Sequence, residues 1–123
     1  MSYILDYNKK NYLIIIESDS DYIFGIYIKK GFGYSGSKKE DDQCFLFSAN
    51  LSKIYPAIKD INDIGYYINY NELYVTGGLC LHYYDGFIKS NIKQYFYGIG
   101  NKYEMNGGKS RFTIKKIEIY ELL

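Results

Sequence analysis

The chain has no tryptophan, one proline, one histidine and two cysteines in 123 residues. Two thiols, Cys44 and Cys80, cannot build the disulfide framework that holds a small secreted domain together. No run approaches the roughly 18 apolar residues of a membrane-spanning helix. No charged segment followed by an apolar stretch opens the chain, so no signal peptide is read and the expected setting is soluble, reducing and cytoplasmic. Neither sign of charge dominates, with 15 Lys+Arg against 14 Asp+Glu. That balance excludes the concentrated basic face a strong phosphate-backbone binder needs. An apolar stripe at 3.6-residue spacing and of helix length is missing too. At most, Asp85–Lys93 has room for one short helical turn.

Apolar residues make up 47% and aromatics 20%, including 17 Tyr. This supports one packed domain and is too short for two ordinary ones. Met1–Asn11 reads as a short leader and residues 12–123 as the domain. "YLIIIE", Tyr12–Glu17, is a continuous β-branched run of the kind found in a strand buried on both faces. "YIFGIYIKK", Tyr22–Lys30, follows after the turn-rich "SDSD", which predicts a hairpin. Further strands are expected over Gln43–Ser48, Ser52–Ile58, Gly65–Asn69, Glu72–Thr76, Leu79–Tyr84 and Arg111–Leu122, with a weaker candidate at Tyr95–Ile99. Pro56 places its strand at an edge or at a strand end. Many short strands spaced by about 8–12 residues predict a mainly β fold of two packed antiparallel sheets, a β-sandwich.

Two patterns carry register information. In "ELYVTGGLCLHYYDGF", Leu73, Val75, Leu79, Leu81 and Tyr83 share odd parity around Gly77-Gly78. A two-residue Gly-Gly loop would pair Val75 with Cys80 and mix the faces. A three-residue loop, Thr76–Gly78, pairs Val75 with Leu79 and Leu73 with Leu81, so the pattern favours it; an uninterrupted strand would satisfy parity as well. In the last strand, Phe112 and Ile114 have one parity and Ile117 and Ile119 the other. A β-bulge at Lys115-Lys116 would return all four to one face; a central strand covered on both sides would also accommodate them.

Chemistry-bearing motifs mostly fail on inspection. Gly31–Gly36 spells G-x-G-x-x-G, but "SKKEDDQ" and a strand follow where a dinucleotide site needs a helix. Gly107–Ser110 ends like a phosphate-binding loop but has Tyr103 in place of the first glycine. Asp60–Gly65 hints at a calcium loop, yet Ile64 stands at a ligand position and Asn71 replaces the closing glutamate. Cys80 and His82 point to one face of a strand and, with Cys44, make a thin zinc set without any C-x-x-C pair. The same pair side by side on a strand is poorly arranged for nucleophilic catalysis. Four Lys doublets beside Tyr-rich strands match strand-edge protection better than nucleic-acid stacking. The reading is therefore non-enzymatic, with no cofactor and no metal.

Four segments in order resemble the TLDc domain family. "LYVTGG" then "LCLHYYDG" is similar to its strand, glycine pair and following strand, at Gly77, Gly78 and Asp85. "YLIIIESDSDYIFGIYI" resembles its hairpin, with Phe24-Gly25 at the "FG". "CFLFSANL" resembles its "FLFS" strand, with Phe45 and Phe47. "FTIKKIEIYEL" resembles its closing strand, with Glu118 at the acidic position. The resemblance covers Tyr12 to the C-terminus, and the chain reads as a short form without the partly helical N-terminal portion of the family. It implies a β-sandwich that binds proteins, with links to oxidative-stress resistance and to assembly of the vacuolar proton-pumping ATPase in eukaryotic cytoplasm. The loops Gly31–Asp42 and Gly86–Gly108 are the expected contact regions. A β-sandwich for carbohydrates or small ligands is the alternative, and an apolar edge or face left open would favour a homodimer.

Overall fold

A computed structural model describes residues 11–29, 39–40, 43–58, 65–69, 72–75, 78–82 and 84–122, with 39–40, 65–69 and 72–75 described in backbone and register. In chain order the strands are β1 (Tyr12–Ser18), β2 (Ile23–Ile28), β3 (Lys39–Glu40), β4 (Phe45–Ser48), β5 (Lys53–Pro56), β6 (Gly65–Asn69), β7 (Glu72–Val75), β8 (Leu79–His82), β9 (Asp85–Ile88) and β10 (Arg111–Glu121). Two 3-10 turns, Ile92–Gln94 and Glu104–Asn106, interrupt the connection before β10. The fold is mainly β, and no α-helix occurs among the described residues.

All ten strands form one antiparallel sheet in the order β3-β6-β7-β8-β9-β10-β1-β2-β4-β5. The expectation of two packed sheets is thus met only in its coarser part, a mainly β antiparallel domain. The physical reason lies in β10. Its first residues, Arg111–Thr113, pair with β9, and from Ile114 onward it pairs with β1. One long strand therefore carries the ladder from one half of the sheet into the other. The sheet curls at this seam, and inward side chains of both halves meet in one core. Ile14, Ile16, Phe24, Ile26, Leu46 and Tyr55 enter from one half, and Leu79, Leu81, Ile88 and Phe112 from the other. Phe24 meets Phe112 edge-on across the core, with ring centroids 5.1 Å apart at 86°, an arrangement suited to aromatic quadrupoles.

The bulge expected in the last strand is present. Glu17 pairs with Lys116 and Ser18 with Ile114, so Lys115 is the extra residue. Phe112 is buried, and Ile114, Ile117 and Ile119 all pack against the core, as the parity argument requires. The three-residue loop at the glycine pair is also present, since Val75 pairs with Leu79, Leu73 with Leu81 and Glu72 with His82. Gly78 ends that loop in a crowded place. A Cβ there would sit 2.9 Å from the Phe96 ring and 3.1 Å from Leu46. Close approach, rather than chain reversal alone, explains this glycine. Gly77 lies outside the described residues.

Three expectations are corrected. Asp85–Lys93, given room for one short helical turn, opens instead with strand β9 over Asp85–Ile88 and reaches a 3-10 turn only at Ile92; Gly86 lets the Phe112 ring approach within 2.4 Å of where a Cβ would stand. Tyr95–Ile99 is not a strand and makes one isolated bridge, Phe96 to Ala57. β1 is not equally buried on both faces. Tyr12, Ile14, Ile16 and Ser18 are buried, whereas Leu13, Ile15 and Glu17 are half-buried. Pro56 does close an edge strand, where its missing N–H leaves no ladder bond unmade.

Candidate functional site

Successive residues of a strand alternate between faces, so every inward residue of β1, β2, β4 and β5 has an outward neighbour. In this chain those neighbours are also apolar. Register places them in rows. One row across the outer face reads Tyr120, Leu13, Tyr27, Phe45, Pro56; the next reads Glu118, Ile15, Gly25, Phe47, Ile54. Leu13, Ile15, Tyr27, Phe45 and Phe47 are half-buried, covered only in part by one another. Ile54 is 60% exposed and Tyr120 45%. Along these rows lies a shallow groove of about 360 Å³ lined by Leu13, Ile15, Phe45, Phe47 and Ile54, together with Ser48, Ser52 and Lys53. A contiguous apolar patch of this kind marks an interaction surface more often than a scattered apolar residue does.

Gly25 is the floor of this face. A Cβ at that position would lie 1.9 Å from the Ile14 carbonyl oxygen and 2.9 Å from Cε1 and Cζ of Phe47. The Phe47 ring therefore rests directly on the Gly25 backbone, as an aromatic covering a strand glycine does. Tyr27 and Phe45 stack beside it, with centroids 4.9 Å apart and planes 26° from parallel. The Tyr27 hydroxyl donates to Asn11 Oδ1 at 2.7 Å. The aromatic layer is thus held in place by packing and one anchored hydroxyl.

A charged border runs along one side. Lys116 pairs with Glu118 at 2.9 Å. The bulged Lys115 reaches Asp21 at 3.0 Å and Glu17 at 3.3 Å. The Tyr120 hydroxyl donates to Glu118; that bond, then Lys116, holds the Glu118 carboxyl below its ordinary range. On the opposite side stands Glu104. Its Oε2 accepts from Lys53 Nζ at 2.6 Å and from the Tyr55 hydroxyl at 2.7 Å, and its Oε1 accepts from the N–H groups of Gly100 and Asn101, both at 2.8 Å. Burial works against ionisation here, but the bonds from Lys53, Tyr55 and the Asn101 N–H outweigh it and lower the carboxyl to about 2. Burial, then the facing carboxylate, pushes the Tyr55 phenol up. This clamp ties the loop before β10 to edge strand β5. Its partners lie 49 and 51 residues from Glu104, so no local pattern announced it.

The residues singled out in the sequence divide between the two sides of the sheet. Gly25, Phe45, Phe47 and Glu118 come together on the outer face. Phe24 and Gly78 are core positions. Asp85 is exposed on β9, opposite His82. Cys44 and Cys80 are buried at 1% and 4% exposure, and His82 is exposed. Among the described residues no three His, Cys, Asp or Glu side chains form a metal-holding group, and no helix is long and apolar enough to cross a membrane. The Gly31–Gly36 motif and all of Asp60–Gly65 except Gly65 lie outside the described residues. Of the loops expected to make contacts, Gly31–Asp42 is described only at β3, whereas Gly86–Gly108 is a built region containing β9 and both 3-10 turns.

The TLDc domain family model matches residues 4–123, and the chain belongs to that family. No curated protein matches the chain.

Proposed function

We propose that this TLDc-domain chain is a non-enzymatic protein-interaction module whose contact surface is the outer face of β1-β2-β4-β5. The observation that carries the reading is the apolar aromatic layer of Phe45, Phe47 and Tyr27, with Ile54 projecting from the edge strand. Such a layer, rimmed by Lys53, Lys116 and Glu118, has the make-up of an interface: an apolar aromatic centre with a charged border. The family points to peripheral subunits of the vacuolar proton-pumping ATPase as the partner and to oxidative-stress resistance as the setting. Burial of both thiols agrees with a role through binding rather than through direct thiol oxidation, which requires an accessible thiolate. The carbohydrate alternative called for tyrosines gathered in a concave face. Among the described residues the most exposed tyrosines, Tyr84, Tyr97 and Tyr120, instead sit on three separate segments of the chain.

The test is an affinity pull-down from a eukaryotic cytosolic lysate, read by mass spectrometry, with the full chain and its Ile54→Asp variant side by side. Circular dichroism establishes that both are folded. Enrichment of peripheral ATPase subunits by the native chain and their loss with Ile54→Asp is the expected result. Equal capture by both proteins would remove the outer face from the reading. A blank from the folded native chain would remove the partner.

A further inference from the structure

A second surface, on the far half of the sheet, has the opposite character. Between the end of β9 and the start of β10 lies an open cleft of about 410 Å³, lined by Phe87, Ile88, Lys89, Ser90, Asn91, Tyr103, Ser110 and Arg111. It holds two cations, an amide and three hydroxyl groups, and among the described residues no carboxylate lines it. This separation of charge is local, because the whole chain carries a net charge of only +1. Lys89 Nζ lies 5.8 Å and the Arg111 guanidinium carbon 5.9 Å from the centroid of Phe87. A single ring thus positions both cations. The Lys102 ammonium lies 5.1 Å from the ring of Tyr103, itself a lining residue.

The walls are firmly built. The Ile88 N–H donates to the Ser110 carbonyl at 2.7 Å and the Lys89 N–H to the Gly78 carbonyl at 2.8 Å. Arg111 itself is a ladder residue, paired with Phe87. Among the described residues no carboxylate lies within ion-pair distance of its exposed guanidinium. Asp19 and Asp85 line a second depression on the side toward Thr113, which Arg111 also borders, whereas neither of them lines this cleft. A planar guanidinium fork beside an ammonium and hydroxyl donors matches the oxygens of a phosphate group. Cation–π contact with Phe87 leaves the N–H edges of Arg111 free to donate.

We propose that this cleft binds a phosphate-bearing anion, with Arg111 and Lys89 as its charged donors and the Ser90 and Ser110 hydroxyls completing the site. The chemistry is shared by a free phosphorylated small molecule and a phosphoinositide headgroup. The proposal stands independently of the apolar face.

Amide chemical shifts of the isotope-labelled full chain are followed during two titrations. One uses inorganic pyrophosphate, and the other uses phosphatidylcholine vesicles with and without phosphoinositide. Saturable changes centred on Ser90, Asn91, Ser110 and Arg111 are expected, together with affinity that falls as salt rises. Response to pyrophosphate assigns a soluble ligand; response only to phosphoinositide vesicles assigns a headgroup. Arg111→Gln should weaken binding about tenfold or more, the usual effect of losing a charged hydrogen-bond donor. Lys89→Gln should weaken it independently, which keeps the test open if one variant folds poorly. Silence toward both probes would overturn the proposal. So would binding that Arg111→Gln and Lys89→Gln leave unchanged, or changes centred on Lys115 and Lys116.

Discussion

The two faces of β1-β2-β4-β5 are built from nearly the same residue types and have opposite fates. Ile14, Ile16, Phe24, Ile26 and Leu46 point inward and are fully buried. Leu13, Ile15, Tyr27, Phe45 and Phe47 point outward and keep part of their surface in water. Hydrophobicity therefore does not separate the residues that fold this chain from those available to a partner; position in the pleat does. Burying a large apolar side chain contributes roughly 1.5–3 kcal/mol relative to leaving it exposed. The inner face has made that gain on folding. The outer face retains part of it for association.

Four substitutions test the contrast, beginning with the largest effect. Phe24→Ala removes a fully buried ring from its edge-on contact with Phe112. Its cost should be about 3–5 kcal/mol in urea-induced unfolding. Loss below about 1 kcal/mol would mean that the core as described is wrong. Gly25→Ala should come next, at about 1–3 kcal/mol or more, because the new methyl meets the Ile14 carbonyl oxygen as well as the Phe47 ring. It should also weaken partner capture, since Phe47 must lift from the floor. A variant that lost stability and retained full binding would show that Phe47 is not part of the interface.

Glu104→Gln probes the clamp behind the edge strand. The folded carboxyl titrates at about 2, below its ordinary 4.5, so the charged form is the one the fold favours. Its contribution is then fully present above about pH 4.5 and fades as pH falls toward 2. Glu104→Gln should lower stability at neutral pH by about 1–2 kcal/mol through weakened charge-assisted bonds and flatten the decline across that acid window. Parallel stability–pH curves for the two proteins would remove Glu104 from this role. Ile54→Asp should have the smallest effect on folding, within about 0.5 kcal/mol for an exposed position, yet abolish capture of the partner. A substitution harmless to stability and fatal to binding is the sharpest expression of the difference between the faces.

Some of this was legible in the residues. Parity around Gly77-Gly78 gave the three-residue loop, because slipping a strand by one residue would turn its apolar set outward. Parity within Phe112–Ile119 left two choices, a bulge at Lys115-Lys116 or a strand covered on both sides, and the pairing with β1 selected the bulge. The outer face was harder to read. "YLIII", Tyr12–Ile16, is apolar at every position, so it has no polar alternation to say which side meets water. β9 was missed because Asp85-Gly86 has the composition of a turn; the Phe112 ring, from a strand 25 residues later, is what demands the glycine. The cleft of Lys89 and Arg111 had no sequence signal, since its cations come from just after β9 and from the start of β10, far apart along the chain, and meet only over Phe87.

By itself the sequence determined a β domain, the register of the hairpin at Gly77-Gly78, a strand edge or end at Pro56 and the family, because each rests on alternation, turn chemistry or ordered short motifs that act between neighbours along the chain. Only the tertiary structure decided that the strands form one curled sheet rather than two, which apolar face stays open, and that Glu104 anchors β5. Those outcomes depend on how β10 pairs with two partners along its length and on contacts between residues some fifty positions apart, where nothing local constrains the geometry.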